Sequence, residues 1–421
     1  MTENGKPRGV LALTPFFLYP DHKDKWEVRF DPMGGMHLLG YSIVQEMARR
    51  GFPHRVLTMA PPGVPKDVRM AANVSVHARR LPVLPIPSKL EGYFGLVGAW
   101  AKASLGFVLT HRARLRQEIG LVHAHCDGSG SAPAYSYAAA QILGVPLVTH
   151  IYSSRCLTQY PTTLFERVSD PVAKNAERLV MQKSDAVLTL SEDIRLRVRD
   201  EVGVPDHMAH VLAHVPSDSF VSNDTPERRA ELKAKYKLDD RPIVVYLGRI
   251  ASEKGVEWFV QAAAEVKKRG RRCQFVVAGD GPQRGDIEQL ARRLGVADDL
   301  VITGFLPHEM VPSMLALSTM AILPSEYEEL GVVIIEFMLM NLPVIAHDVS
   351  GVHKLVDHEK TGLLVEPFKP PLLADAIERL LDNPELRSKL AETAAPLPQA
   401  YTQKAAGERL EAIYRKLLKE I

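Results

Sequence analysis

Short β-branched apolar runs alternate with longer amphipathic stretches along the chain, and that alternation predicts the elements. Strands read at 9–17, 54–59, 73–77, 120–124, 145–150, 185–190 and 208–213, and helices near 35–50, 92–118, 131–143, 163–183 and 192–202. Strand, helix, strand in this order implies parallel sheets with helices on both faces. VPSDSFVSNDTPERR (215–229) is polar, proline-bearing and turn-rich, so it reads as a domain linker. The alternation then restarts, with strands at 243–248, 274–279, 300–304, 320–325, 343–347 and 362–366. Helices fall near 254–269, 283–294, 307–317, 330–341, 371–382 and 385–395, and a charged amphipathic helix, 402–420, closes the chain. The expected architecture is α/β: two Rossmann-like, doubly wound parallel-sheet domains, 1–218 and 219–400, facing a central cleft. The segment 401–421 is expected to pack back toward the first domain. Sheets of this kind bind ligands outside the carboxyl ends of their strands.

Composition narrows the classes. At 421 residues the chain exceeds one ordinary core, and 46% hydrophobic with 24% charged residues is a globular balance. A net charge of +2 supplies no field for nucleic acid, so no nucleic-acid partner is expected. Cys126, Cys156 and Cys273 are scattered without CxxC spacing, which fits a reducing cytoplasm. The run VLALTPFFLY (10–19) reads as a buried first strand rather than a span. GYFGLVGAWAKASLGFVL (92–109), followed by basic HRARLR, reads as a packed helix pair, with weak membrane contact as the alternative and no stable anchor.

Missing signatures prune the chemistry. No GxGxxG follows a strand, no P-loop or GxSxG elbow is present, and no aspartates sit at the DxD spacing of a metal-bound nucleotide diphosphate site. No metal and no cofactor are therefore expected. What remains is phosphate chemistry in the second half. GRIASEKG (248–255) puts Arg249 and Lys254 at the end of a strand, where two fixed cations can neutralise a diphosphate; the alternative is a solvated loop. AGDGP (278–282) is a tight turn that lets backbone approach a ligand. PSEYEELGVVIIEFM (324–338) runs from a strand end into a helix whose first amides, near Gly331 and Val332, face an anion. If Glu328 and Glu336 share that helix, they are ~12 Å apart along its axis. That exceeds the roughly 5–9.5 Å between the paired carboxyls of glycosidases and suits two ends of a nucleotide-sugar.

These motifs, with TGFLPHEMVP (303–312) and PVIAHDVSG (343–351), resemble the donor half of family 4 retaining glycosyltransferases, a GT-B fold. The resemblance implies that Arg249 and Lys254 hold the diphosphate of a UDP- or GDP-sugar, with Gly248 and Gly279 on the donor side. It also implies that Glu336 bonds the ribose, Glu328 sits by the transferred sugar, the Gly331 and Val332 amides face phosphate, and Leu306 lies by the base. The first half matches more loosely. DPMGGMHLLGYSIVQEMARRG (31–51) resembles the family's glycine loop, with Gly34 and Gly35 toward phosphate, and VHAHCDG (122–128) places His125 near the reacting carbon. Two departures stand out: Asn341 replaces a usual glycine, and Ser350-Gly351 replaces a glycine pair.

The whole set looks most like the transferases that glycosylate 2-deoxystreptamine in aminoglycoside assembly, whose donors are UDP-N-acetylglucosamine or UDP-glucose. That resemblance implies a small aminocyclitol acceptor. Its amines call for carboxylates, and Asp31 and Asp127 are the candidates, with His150 as a supporting residue. A phospholipid, polyprenol or sugar acceptor, a sugar-nucleotide epimerase, a phosphorylase and a non-catalytic binder are the competing readings. The spacing of His207, His210 and His214 suggests metal on a helix, but the segment reads as a strand, where the three do not share a face.

Overall fold

The computed structural model describes residues 8–15, 17, 35–60, 65–79, 97–127, 132–158, 164–214, 220–349 and 351–419. The chain divides into two compact units, Met1–His214 with Gln403–Ile421, and Val215–Thr402.

The first unit contains β1 (Gly9–Leu13), α1 (Gly35–Arg49), β2 (His54–Met59), β3 (Asp67–Ala71), β4 (Val74–Arg79), α2 (Val97–Thr110) and α3 (Arg112–Glu118). It continues through β5 (Ile119–Asp127), α4 (Ala132–Leu143), β6 (Leu147–Ser153), α5 (Leu164–Lys183), β7 (Ala186–Thr189), α6 (Glu192–Arg197) and β8 (Ala209–Val211). Its sheet runs β3-β4-β2-β1-β5-β6-β7-β8. Every pairing is parallel except β3 with β4. Strand β3 is missing from the sequence reading because DVRMA is a five-residue, at most half-buried edge, too short for its alternation to stand out. Two expected helices differ in detail. Over its described residues the stretch 92–118 is two helices broken at His111, and the stretch 192–202 passes from α6 into one π-turn (Val198–Val202). The last helix of the chain, α14 (Gln403–Lys419), belongs to this unit and sets Ala406, Leu410 and Tyr414 against Ile43 and Met47 of α1.

The second unit runs α7 (Pro226–Tyr236), β9 (Ile243–Leu247), α8 (Val256–Lys268), β10 (Gln274–Ala278), α9 (Arg284–Arg293), β11 (Leu300–Ile302) and α10 (Val311–Ala316). Then follow β12 (Met320–Leu323), α11 (Val332–Leu339), β13 (Val344–His347), β14 (Leu363–Val365), α12 (Pro370–Asp382) and α13 (Pro384–Ala394). The linker reading of 215–229 ran too far: Thr225 caps α7 by accepting from Arg228 N at 3.3 Å, and Pro226 occupies the first turn. All six strands are parallel in the order β11-β10-β9-β12-β13-β14. The strands IVVYL and MAIL lack alternation because helices cover both faces of the sheet. Strand order reverses between β9 and β12, so the loops after these two strands flank the switch point where such sheets take ligands. In the first unit the reversal falls between β1 and β5.

Candidate active site

Backbone packing builds the loop after β9. Tyr246 is fully buried and donates its hydroxyl to Arg249 O at 2.7 Å, while Ile250 N donates to Asp280 O at 2.9 Å. The β9 and β10 loops press together so closely that a Cβ on Gly279 would lie 1.8 Å from Gly248 O. The turn Ser252–Lys254 then feeds α8, and Glu326 N donates to Glu253 O at 3.0 Å, joining this loop to the one after β12.

Two cations meet carboxylates there. Lys254 Nζ lies 2.8 Å from Glu328 Oε1, which also accepts from Ser325 Oγ at 2.7 Å. Arg249 pairs with Glu253, four residues on. Glu328 is not on the helix: α11 begins at Val332, so the axial separation expected for Glu328 and Glu336 on one helix does not apply. Gly331 caps α11 at φ 75°, a left-handed conformation that glycine adopts without strain, and the helix opens with the Val332 amide. Behind Glu328 lies Gly351, where a Cβ would sit 2.0 Å from Glu328 O. Asn341, in the usual glycine position, has φ 51°, which Asn tolerates among non-glycine residues. Leu306 is buried, Phe305 beside it is 41% exposed, and Glu336 on α11 accepts from His308 Nε2 at 3.1 Å.

In the first unit, the period of two puts His123 and His125 of β5 on one sheet face, and register puts His150 opposite His125. His150 is therefore mid-strand in β6 rather than at its end, and all three imidazoles are buried. His123 and His125 stack with centroids 4.3 Å apart, and His150 stacks on Tyr152 at 4.2 Å. Hydroxyls tie the stack down: Tyr414 OH lies 2.6 Å from His123 Nδ1 and Tyr152 OH lies 3.0 Å from His125 Nδ1. Gly40 of α1 leaves room for the His125 ring, 3.6 Å from where a Cβ would stand. Burial first, then the nearby His54 and His214, pull His125 down to about 3, so the ring is neutral at physiological pH. Burial likewise lowers His123 and His150 and raises the Tyr152 phenol.

Ligand nitrogens of His123, His125 and His150 lie within 4.8 Å of one another, the one such trio among the described residues. The His123 ring is inclined by only 22° to His125 and 13° to His150. Imidazole lone pairs lie in the ring plane, so stacked rings do not aim them at one metal. Tyr152 and Tyr414 were not singled out by the sequence reading, although Tyr152 follows His150 at the period of one strand face. Asp31 and Gly34 lie outside the described residues. Gly35 opens α1, and Asp127 closes β5 with its side chain outside the description.

Two parallel α/β sheets, each reversed at a switch point, with Arg249, Lys254 and the capped start of α11 on the loops beside the second reversal, have the architecture of the GT-B fold. The comparisons agree: this chain belongs to the glycosyl transferases group 1, which it matches over residues 228–396, with a glycosyl transferase 4-like domain over 34–213. It is 59% identical over 384 residues to an alpha-D-kanosaminyltransferase of Streptomyces kanamyceticus, covering 91% of this chain and 100% of that one. It is 33% identical over 396 residues to a 2-deoxystreptamine N-acetyl-D-glucosaminyltransferase of Streptomyces fradiae, covering 92% and 91%. The fold superimposes on sucrose-phosphate synthase of Thermosynechococcus elongatus with a TM-score of 0.79 at 22% identity, over 98% of this chain and 100% of that one. The chain is a glycosyltransferase. No helix among the described residues is long and apolar enough to cross a membrane.

Proposed function

We propose that this enzyme moves an amino-hexose, kanosamine in the first instance, from a UDP-sugar to a hydroxyl of an acceptor built on 2-deoxystreptamine, within aminoglycoside assembly. The observation that carries the donor half is the Lys254–Glu328 pair beside the start of α11, on the loops that flank the strand reversal. In this reading Lys254 and Arg249 turn from their carboxylates to the departing diphosphate, and the Gly331 and Val332 amides add to that field. Glu328, released from Lys254, faces the transferred sugar, Glu336 receives the ribose, and Leu306 backs the base. His125 presents a neutral imidazole near the reacting carbon, and Asp31 and Asp127 meet the acceptor amines. His150 is buried beside His125 and acts through that ring. The anomeric configuration is retained by front-face attack, the leaving phosphate taking the acceptor proton. Kanosamine takes precedence over glucose and N-acetylglucosamine because the 59% identical relative is named for it.

A UDP-release screen tests this. The donors are UDP-kanosamine, UDP-glucose and UDP-N-acetylglucosamine, set against 2-deoxystreptamine, its glycosides and phosphatidylinositol, with and without EDTA. Turnover with an aminocyclitol acceptor that survives EDTA is expected. Turnover of lipid acceptors alone would overturn the acceptor reading, and a complete, metal-reversible loss would overturn the metal-free mechanism.

A further inference from the structure

We propose that His308 is a positioning residue for the donor's ribose, holding the Glu336 carboxylate in the orientation that receives the sugar hydroxyls. The inference rests on the donor reading above and names a residue that reading leaves without a task. Glu336 stands in the apolar run VVIIEFML of α11 and is 7% exposed. A carboxylate in such surroundings needs a hydrogen-bonding partner. Its one side-chain partner among the described residues is His308 Nε2, 3.1 Å from Oε1. An ionised carboxylate only accepts, so the imidazole donates its Nε2–H. Oε1 keeps a second lone pair, and Oε2 makes no hydrogen bond among the described residues, so both oxygens can accept from a diol.

The imidazole is itself held. It opens the one-turn helix His308–Met310 directly after Pro307, and its ring packs against buried Phe220 with centroids 5.2 Å apart. Arg228 Nη1 donates to Glu309 O at 3.2 Å, fixing the backbone of the same turn from α7. Leu306 lies two residues before His308, so one short loop carries both the residue assigned to the base and the residue that sets the ribose carboxylate. A side chain that merely filled space beside Phe220 would need no N–H, whereas one that orients Glu336 must donate.

Calorimetric titration of the purified enzyme with UDP, 2′-deoxy-UDP and 3′-deoxy-UDP tests this, using wild type, His308→Ala, His308→Leu, His308→Gln and Glu336→Ala. His308→Leu keeps packing on Phe220 without a donor, so the comparison stands even if the alanine variant does not fold. Wild type is expected to prefer UDP over at least one deoxy analogue. His308→Ala and His308→Leu should weaken UDP by about tenfold, the scale of one hydrogen bond to a charged group. They should weaken that analogue far less, and His308→Gln, which can donate through its amide, should restore most of the preference. Equal losses on UDP and the analogue, or unchanged UDP affinity, overturn the inference. If Glu336→Ala erases the preference while the His308 variants keep it, His308 fails alone. If Glu336→Ala leaves the preference intact, or wild type binds UDP without any preference or not at all, the donor reading fails and the inference with it.

Discussion

Arg249 and Lys254 each stand against a carboxylate, so a bound diphosphate must replace those partners rather than meet bare cations. The side chains are 37% and 29% exposed, which limits what either pair adds to folding: partly exposed ion pairs contribute at most about 1 kcal/mol. In the proposed mechanism their role in transition-state charge stabilisation is the larger one. Arg249→Ala and Lys254→Ala are each expected to lower kcat by on the order of 10²-fold while melting within a few degrees of wild type. Steady-state kinetics with a thermal melt of each variant checks this, and wild-type turnover in either would remove that residue from the leaving-group site. Glu328 keeps its Ser325 hydrogen bond when Lys254 is lost, so the acidic loop should survive the substitution.

At the scale of elements, the loops after β9, β10 and β12 hold their shape because backbones approach where side chains cannot. Gly351 is the clearest case. Its φ of −72° is open to any residue, so the constraint is space alone, a Cβ 2.0 Å from Glu328 O and 2.6 Å from Glu328 C. Gly351→Ala should therefore push the Glu328 loop, costing about 1–3 kcal/mol and raising KM for the donor. Gly285→Ala is the control: it lies in α9 with nothing within 4 Å of its added Cβ, and should leave stability equal or higher. Denaturant melts and donor KM for the two variants side by side decide it; matching behaviour would refute the steric account. Asn341 makes the complementary point. The family's usual glycine is absent, yet Asn341 adopts φ 51° after α11, with Leu342 N donating to Phe337 O at 3.0 Å, so the helix ends as a glycine would end it.

Across the whole molecule, buried neutral imidazoles make stability depend on acid. Burial lowers His125 to about 3 and His54 and His347 to about 4, against an ordinary value near 6.5. The unfolded chain binds these protons first, so the stabilisation is complete above about pH 6.5 and is lost as pH falls from there toward the folded values. At pH 5.5 each such histidine costs on the order of 1 kcal/mol. The melting temperature should drop steadily between pH 7 and pH 5, and His54→Asn should flatten that slope. A melting temperature that stays level over the range would contradict neutral burial of these rings.

Much of this protein could be read from the chain alone, because the relevant information is local. Apolar runs bounded by turns placed thirteen of the strands to within a few residues, and the loops that carry Arg249, Lys254, Gly331 and Val332 are contiguous with the strand ends that present them. Strand β3 escaped because the alternation of Asp67, Val68, Arg69 and Met70 is too short to stand out, and the strand exists by pairing with β4. Helix α7 escaped although Thr225 and Pro226 announce it, because the polar surroundings read as linker. Pairings between distant residues were decided by tertiary structure: Lys254 with Glu328 across 74 positions, His308 with Glu336 across 28, and His123 with Tyr414 across 291. Periodicity tells which residues share a face, as it did for His123 and His125. Which strand lies beside that face, and which helix covers it, follows from the order of strands in the sheet, a property of the packed whole that no local stretch encodes.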